Sequence, residues 1–304
     1  MAMPITTGSF AKALWPGVEA WYGKEYNEYP VEFIHLFEER SSHKNFEEII
    51  GITSFGLAQV KNEGGSIAYD TERQGYLTRA THVVFGLGFI ITREMYEDDQ
   101  YDVVGERKSK GLAFSMRQTQ EVNGANVYNR AFNSTYAYGD GQQAISAAHP
   151  NVAGGTWSNQ LSVNSDLSEA SLEQACNQIA LFTNDRGLII AAIPESLIIP
   201  WALEFEAVRI LKSAGRVGTD FNDLNALKEL GKFRKGLVIN HFLTDLDAWY
   251  IRTNVPDGML YFNRRAAEFG TENDFDTENA KFKATQRYSF TVGDPRAIFG
   301  SPGA

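Results

Sequence analysis

The chain has 304 residues, 43% hydrophobic and 22% charged, which suits a large core or two domains and lies outside the disordered range. Its 28 basic and 38 acidic residues leave a net charge of −10, an argument against a protein that grips nucleic acid by neutralising phosphates. The single cysteine, Cys176, excludes an internal disulfide and a thiolate metal site. The start, MAMPITTGSF, has no signal-peptide pattern, and no apolar run reaches the roughly 18 residues that span a bilayer, so a soluble protein made in the cytoplasm is expected.

Residues 1–46 are rich in aromatics, among them Trp15, Trp21, Tyr22, Tyr26, Tyr29, Phe33 and Phe37, but Pro16, Gly17, Gly23 and Pro30 interrupt any helical or strand period. Such a segment needs a surface to cover its rings, on its own subunit or on a neighbour. From 54 to 91 the signals are β: a strand at Phe55–Val60, a loop tip at "KNEGG" (61–65), a short return at Ile67–Tyr69, and a long strand from Tyr76 to Ile91. Thr92 reads as a helix N-cap, with Glu94, Glu97, Asp98 and Asp99 where the helix dipole favours negative charge. The proline-free stretch to about Phe132 predicts a helix of about 40 residues, roughly 60 Å long.

The glycine-rich 137–157 marks a boundary. An amphipathic helix then follows Ser168, carrying Leu172, Ala175, Cys176 and Ile179 on one face. Strands are expected at Leu188–Ala192 and Leu197–Ile199, helices at about Trp201–Ser213 and Asn222–Leu230, and strands at Leu237–Asn240 and Ala248–Arg252. After the turn "VPDG" (255–258), residues 279–292 alternate cleanly. Phe282, Ala284, Tyr288, Phe290 and Val292 share one face, interrupted only by Gln286, while Lys281, Lys283, Thr285, Arg287 and Ser289 share the other.

A search for chemistry yields little. Gly86-Leu-Gly88 lacks the third glycine of a dinucleotide fingerprint, and no strand with a terminal acidic residue follows. A strand that bends before the helix is the better reading, with Gly86 and Gly88 as candidate hinge residues. The five histidines are scattered, there is no Walker loop or nucleophile elbow, and Cys176 sits on a buried helix stripe. The acidic run Glu272, Asp274, Asp276 and Glu278 lacks the glycine and final glutamate of an EF-hand and reads as a solvated turn. No catalytic, cofactor or metal site is expected.

The order of elements nonetheless resembles one family. The aromatic arm, the projecting β-loop, "GLGFIITREMYEDDQYDVV", the long helix, an α/β unit with "LIIPWALEFEAVRILKS" and a final "ENAKFKATQRYSF" and "DPRAIFGS" resemble the major capsid proteins of tailed bacteriophages, which have the Hong Kong 97 phage fold. "RAFN" (130–133) and "AHPN" (148–151) belong to the same set of phrases. The resemblance implies an α+β chain. Residues 1–46 would be an N-terminal arm, 47–91 an extended β-hairpin loop with its return strand, and 92–159 a peripheral domain with a spine helix. An inserted mixed α/β axial domain would span 160–254, and 255–304 would supply the returning peripheral strands.

It further implies a structural role in the virion: self-assembly into hexamers and pentamers of an icosahedral shell around double-stranded DNA, in the cytoplasm of a host bacterium. A separate scaffolding protein, a portal and a possible decoration protein would be partners, with no membrane. Candidate assembly contacts are Trp15, Trp21, Tyr22, Lys61, Glu63, Lys281, Lys283 and Arg287. The founding phage cross-links a lysine to an asparagine. Lys61 lies at the loop tip beside Glu63, but no matching asparagine is placed by motif, so non-covalent assembly is expected. Two alternatives stay open: a cytoplasmic α/β enzyme with a ligand pocket in 160–254, and a tail or baseplate module.

Overall fold

The computed structural model describes residues 11–97, 101–213, 215, 224–274 and 277–304, with the side chains of 11–18, 96, 97 and 101–104 outside that description. Two four-stranded sheets organise the chain. The first has the order β1 (Glu38–Ser41), β10 (Met259–Asn273), β11 (Ala280–Val292) and β4 (Val83–Ile91). β11 forms because its side chains alternate, and both neighbours run antiparallel to it, Phe282 facing Thr271 on one side and Phe89 on the other. Its apolar side, with Phe282, Ala284 and Tyr288 buried, packs under helix α3 (Tyr101–Asn129). The predicted spine helix is present but shorter than expected, 29 residues rather than about 40, and the Thr92 cap belongs to the short α2 (Arg93–Glu97) before it, where Thr92 Oγ1 accepts the Met95 amide at 3.4 Å.

The second sheet has the order β12 (Ile298–Ser301), β9 (Trp249–Thr253), β7 (Pro194–Pro200) and β8 (Gly236–Asn240). Its strands read as continuous apolar runs because both faces are covered. Leu197, Ile199, Trp249, Ile251 and Phe299 face a core shared with α4 (Glu169–Ala180), α5 (Glu204–Lys212) and α6 (Ala226–Glu229). Ile198, Tyr250 and Ile298 alternate with them and face Phe33, Phe37 and Tyr128 instead. Helix α4 starts at the expected cap, Ser168, whose hydroxyl accepts the Ser171 amide, and it buries Leu172, Ala175, Cys176 and Ile179 as expected. Burial pushes the Cys176 thiol up to about 11, consistent with a core residue.

Several expectations need correction. Phe55–Val60 and Ile67–Tyr69 form no strands; the hairpin is β2 (Phe46–Ile52) against β3 (Gln74–Thr81), and residues 53–73 between them carry no regular structure. The long strand 76–91 is two strands in two sheets, divided at His82. Leu188–Ala192 supplies only an isolated bridge, Thr183 to Ile189. The helix expected over 201–213 begins as a 3₁₀ turn, Trp201–Leu203, and the start expected at Asn222 lies outside the described residues. β10 was not legible, and β12, from within 255–304, joins the second sheet beside β9.

The arm is also more ordered than its punctuation suggests. Ala11–Glu28 is helix α1, with Pro16, Gly17 and Gly23 inside it. Packing along α3 outweighs local propensity here, since tertiary burial contributes most of a helix's stability.

Candidate assembly surfaces

The polar layer beneath the arm explains the interruption at Gln286. Its Nε2 donates to the Met116 carbonyl at 3.1 Å, and the Tyr26 hydroxyl lies 3.3 Å from both Gln286 Oε1 and Gln120 Oε1. Gln120 donates in turn to the Tyr261 hydroxyl at 2.6 Å, and the Arg117 guanidinium lies over the Tyr26 ring, 4.0 Å from its centroid. One helical turn on, the buried Glu121 carboxylate accepts the amides of Glu32 and Phe33, at 3.1 and 2.9 Å. Burial raises its pKa and those two amides pull it back, so a side chain of the spine caps the 3₁₀ turn Phe33–His35. Gly124 lets that turn approach, because a Cβ there would sit 3.0 Å from Phe33 Cβ.

The candidate assembly contacts differ in how far their own subunit covers them. Tyr22 is 4% exposed, packed on Leu112, Ala113 and Met116 of α3 and on Ala284, so it is covered within its own subunit. Trp21 is partly buried against Ile91 and Phe282, and the Trp15 side chain lies outside the described residues. Lys61 and Glu63 are exposed in 53–73, as expected of a tip. The neck of that segment is closed by Thr53, whose amide and hydroxyl both donate to the Arg73 carbonyl while Oγ1 accepts the Arg73 amide at 2.8 Å.

Lys281, Lys283 and Arg287 share the outer face of the first sheet. Lys281 pairs with Asp274, Lys283 is exposed beside Gly270, and Arg287 is tied within the subunit to the Asn45 side chain and the His82 carbonyl. In the acidic turn Glu278 pairs with Arg93, while Asp276 lies outside the described residues. Gly86 and Gly88 lie inside β4 in unbroken pairing with Thr285 and Lys283. The change of sheet falls at His82.

His82 is buried between two hydroxyls, Ser289 Oγ at 2.9 Å from Nδ1 and Ser42 Oγ at 3.0 Å from Nε2. Ser42 already donates to Glu47 Oε1 at 2.8 Å, so counting donors assigns the proton to Nε2 and makes Nδ1 the acceptor of the Ser289 hydroxyl. Burial lowers the His82 pKa, reinforced by Arg287 and Arg264 and opposed by Glu47. Because the folded pKa is depressed, the unfolded chain takes up the proton first. Stability should fall as pH drops below about 6.5 and continue falling to the folded pKa. Melting midpoints of the parent and His82→Gln across that range should converge at low pH, and parallel curves would refute the assignment.

A third cluster gathers residues of 140–157, 183–185 and 294–296. The Trp157 ring stacks on buried His149, 4.7 Å between centroids, and lies 4.6 Å from the Arg296 guanidinium carbon. His149 bonds Asp140 at 2.6 Å, while Arg296 holds Asp185 at 3.0 Å, Asp294 at 3.5 Å and the Thr183 carbonyl at 2.8 Å. A cleft of about 510 Å³ opens beside it, lined in part by Ile49, Tyr76, Tyr138 and Ile190. The carboxylates of Asp140, Asp185 and Asp294 there are paired within the chain, with His149 and Arg296.

The comparisons with known proteins agree with this architecture. A family model described as phage capsid protein matches residues 76–300. The chain belongs to the phage capsid protein family. Comparison with curated protein sequences gives no match. Among solved structures, a virus-like particle from Pyrococcus furiosus superposes with a TM-score of 0.53 at 12% identity over 93% of this chain and 97% of that one. The procapsid of bacteriophage JBD30 gives 0.53 at 12%, over 98% and 76%, and the capsid of cyanophage P-SCSP1u gives 0.54 at 8%, over 90% and 88%. At such identities these neighbours show a common fold, the one the resemblance implied.

This capsid protein is thus a structural component of a phage shell, with its place in the virion. Among the described residues no helix is long and apolar enough to cross a membrane, and no group of three or more His, Cys, Asp or Glu could hold a metal ion. The quoted phrases also acquire a physical basis. "AHPN" supplies His149 and Asn151, "DPRAIFGS" supplies Asp294 and Arg296, and Arg296 reaches Asn151 Oδ1 at 3.3 Å. Sequence reasoning missed Asp185 and Glu121 because their partners are far along the chain, and Trp157 because its stacking on the nearby His149 follows no helical or strand period. A local signal was the Asp294-Pro295-Arg296 turn, where Asp294 caps the 3₁₀ turn Pro295–Ala297 and pairs with Arg296.

Proposed function

We propose that copies of this capsid protein form hexamers and pentamers that close an icosahedral shell around double-stranded DNA. The observation that carries this reading is the segment 53–73. Leu57, Val60, Ile67 and Tyr69 are 81%, 94%, 63% and 94% exposed there, and the segment has no regular structure of its own. So many large apolar groups in one projecting segment call for a covering partner, and a second copy of the chain supplies it. Lys61, Glu63, Lys281 and Lys283 are exposed candidates for polar contacts at that boundary. Residues 11–46 act as the arm, α3 as the spine, and the second sheet with α4 to α6 as the axial unit at capsomer centres. The net charge of −10 suits a container that must not adhere to the genome it encloses. A scaffolding protein and a portal complete the assembly.

Negative-stain microscopy of the protein co-expressed with its neighbouring genes should show closed shells or capsomers. A uniform small oligomer under every condition would sink the proposal, and open tubes or rings would favour a tail module.

A further inference from the structure

The projecting segment is tied to its own axial unit by one side chain. Arg186 lies in the loop between α4 and β7, where Asn184 Oδ1 accepts the amides of Arg186 and Leu188 at 3.0 and 2.9 Å and so fixes the turn. From there the guanidinium reaches both legs of the segment. Nε donates to the Ser54 carbonyl at 3.2 Å, and Nη2 donates to Asp70 Oδ1 and the Thr71 carbonyl, each at 2.8 Å. Asp70 completes the tie, since its Oδ2 accepts the Gly56 amide at 2.8 Å and its Oδ1 the Thr71 amide at 2.8 Å. These bonds, the Gly56 amide first, then Arg186 and then the Thr71 amide, hold the Asp70 carboxyl down at about 2, so it stays ionised under all ordinary conditions.

We propose that Arg186 is a latch that fixes the direction in which residues 53–73 leave their own subunit, presenting Leu57, Val60, Ile67 and Tyr69 to the neighbouring copy. The proposal rests on the reading that this segment laps a second copy. Without a latch, a segment lacking regular structure samples many directions, and capturing a neighbour costs the entropy of choosing one. With Ser54, Gly56, Asp70 and Thr71 all gathered on one guanidinium and one carboxylate, only the tip beyond them stays free to adapt. Ionic strength matters to such a latch, because Arg186 and Asp70 are 30% and 42% exposed and water screens the pair.

The test is limited trypsin digestion of dispersed subunits, read by mass spectrometry, comparing cleavage after Arg73 in the neck with cleavage after Lys61 at the tip. Arg186→Ala should raise the Arg73 rate roughly three- to tenfold relative to the Lys61 rate, the worth of a charge-assisted contact discounted for exposure. Arg186→Lys should give an intermediate ratio, and high salt should move the parent toward the alanine variant. An unchanged ratio in Arg186→Ala would overturn the latch. The lapping reading is tested separately by digesting assembled particles: if Lys61 stays as cleavable as in free subunits, lapping fails while the latch ratio still stands.

Discussion

Gly88→Val should abolish shell formation and lower subunit stability by about 3 kcal/mol, the upper part of the range for overpacking. A Cβ at position 88 would lie 2.5 Å from the Phe282 carbonyl oxygen and 3.4 Å from Lys283 Cα, closer to the carbonyl than side chains come. That oxygen belongs to β11, which is held between β10 and β4 and cannot retreat without disturbing both neighbours. β4 must yield instead. It carries Phe85 and Phe89, stacked on Tyr288 and Phe282, so its displacement also loosens the seat of the spine helix. Gly86→Ala is the milder companion, because its nearest neighbour is a Thr285 methyl at 3.1 Å that can shift slightly. Urea midpoints and microscopy of the two variants would check the ranking, and normal shells with an unchanged midpoint in Gly88→Val would refute it.

Arg296→Ala should cost about 3 kcal/mol, because it strips the counter-charge from the carboxylates sheltered beside it. The Arg296 side chain is 11% exposed, and Asp185 beside it 17%. Removing the guanidinium also frees the Thr183 carbonyl and takes the cation from the Trp157 face. The deletion should lower the melting midpoint of the subunit. Arg296→Lys should recover only part of the loss, since an ammonium cannot hold Asp185, Asp294 and Thr183 in one plane. A midpoint within experimental error of the parent would show that the cluster contributes no net stability.

These two positions mark different limits of sequence reading. Gly88 was conspicuous, but its close approach to the Phe282 carbonyl was not legible, because that oxygen belongs to a strand far along the chain, and the change of sheet falls at His82. Arg296 sat in a quoted phrase without a mechanism, because its partners Asp185, Thr183 and Trp157 lie more than a hundred residues away. His82 looked like one scattered histidine among five until Ser42 and Ser289 were seen on its two nitrogens.

By itself the sequence determined the features that depend on neighbours in the chain. The alternation of 279–292, the Ser168-capped helix with its buried stripe, the long proline-free spine and the turn at 255–258 are all periodic or local signals, and all are present. The order of those elements was enough to mark the capsid family. The tertiary structure alone decided what depends on distant partners. α1 is a helix despite Pro16 and Gly17 because it packs along α3. Tyr22 belongs to its own subunit because that groove covers it. β12 joins the second sheet because β9 offers it an edge, and the hairpin below 53–73 closes at Thr53 and Arg73. Local propensity costs tenths of a kcal/mol for ordinary residues and about 1 and about 3 kcal/mol for an interior glycine and proline, whereas burial of each large apolar side chain is worth a few kcal/mol, so the packing of several side chains outweighs it.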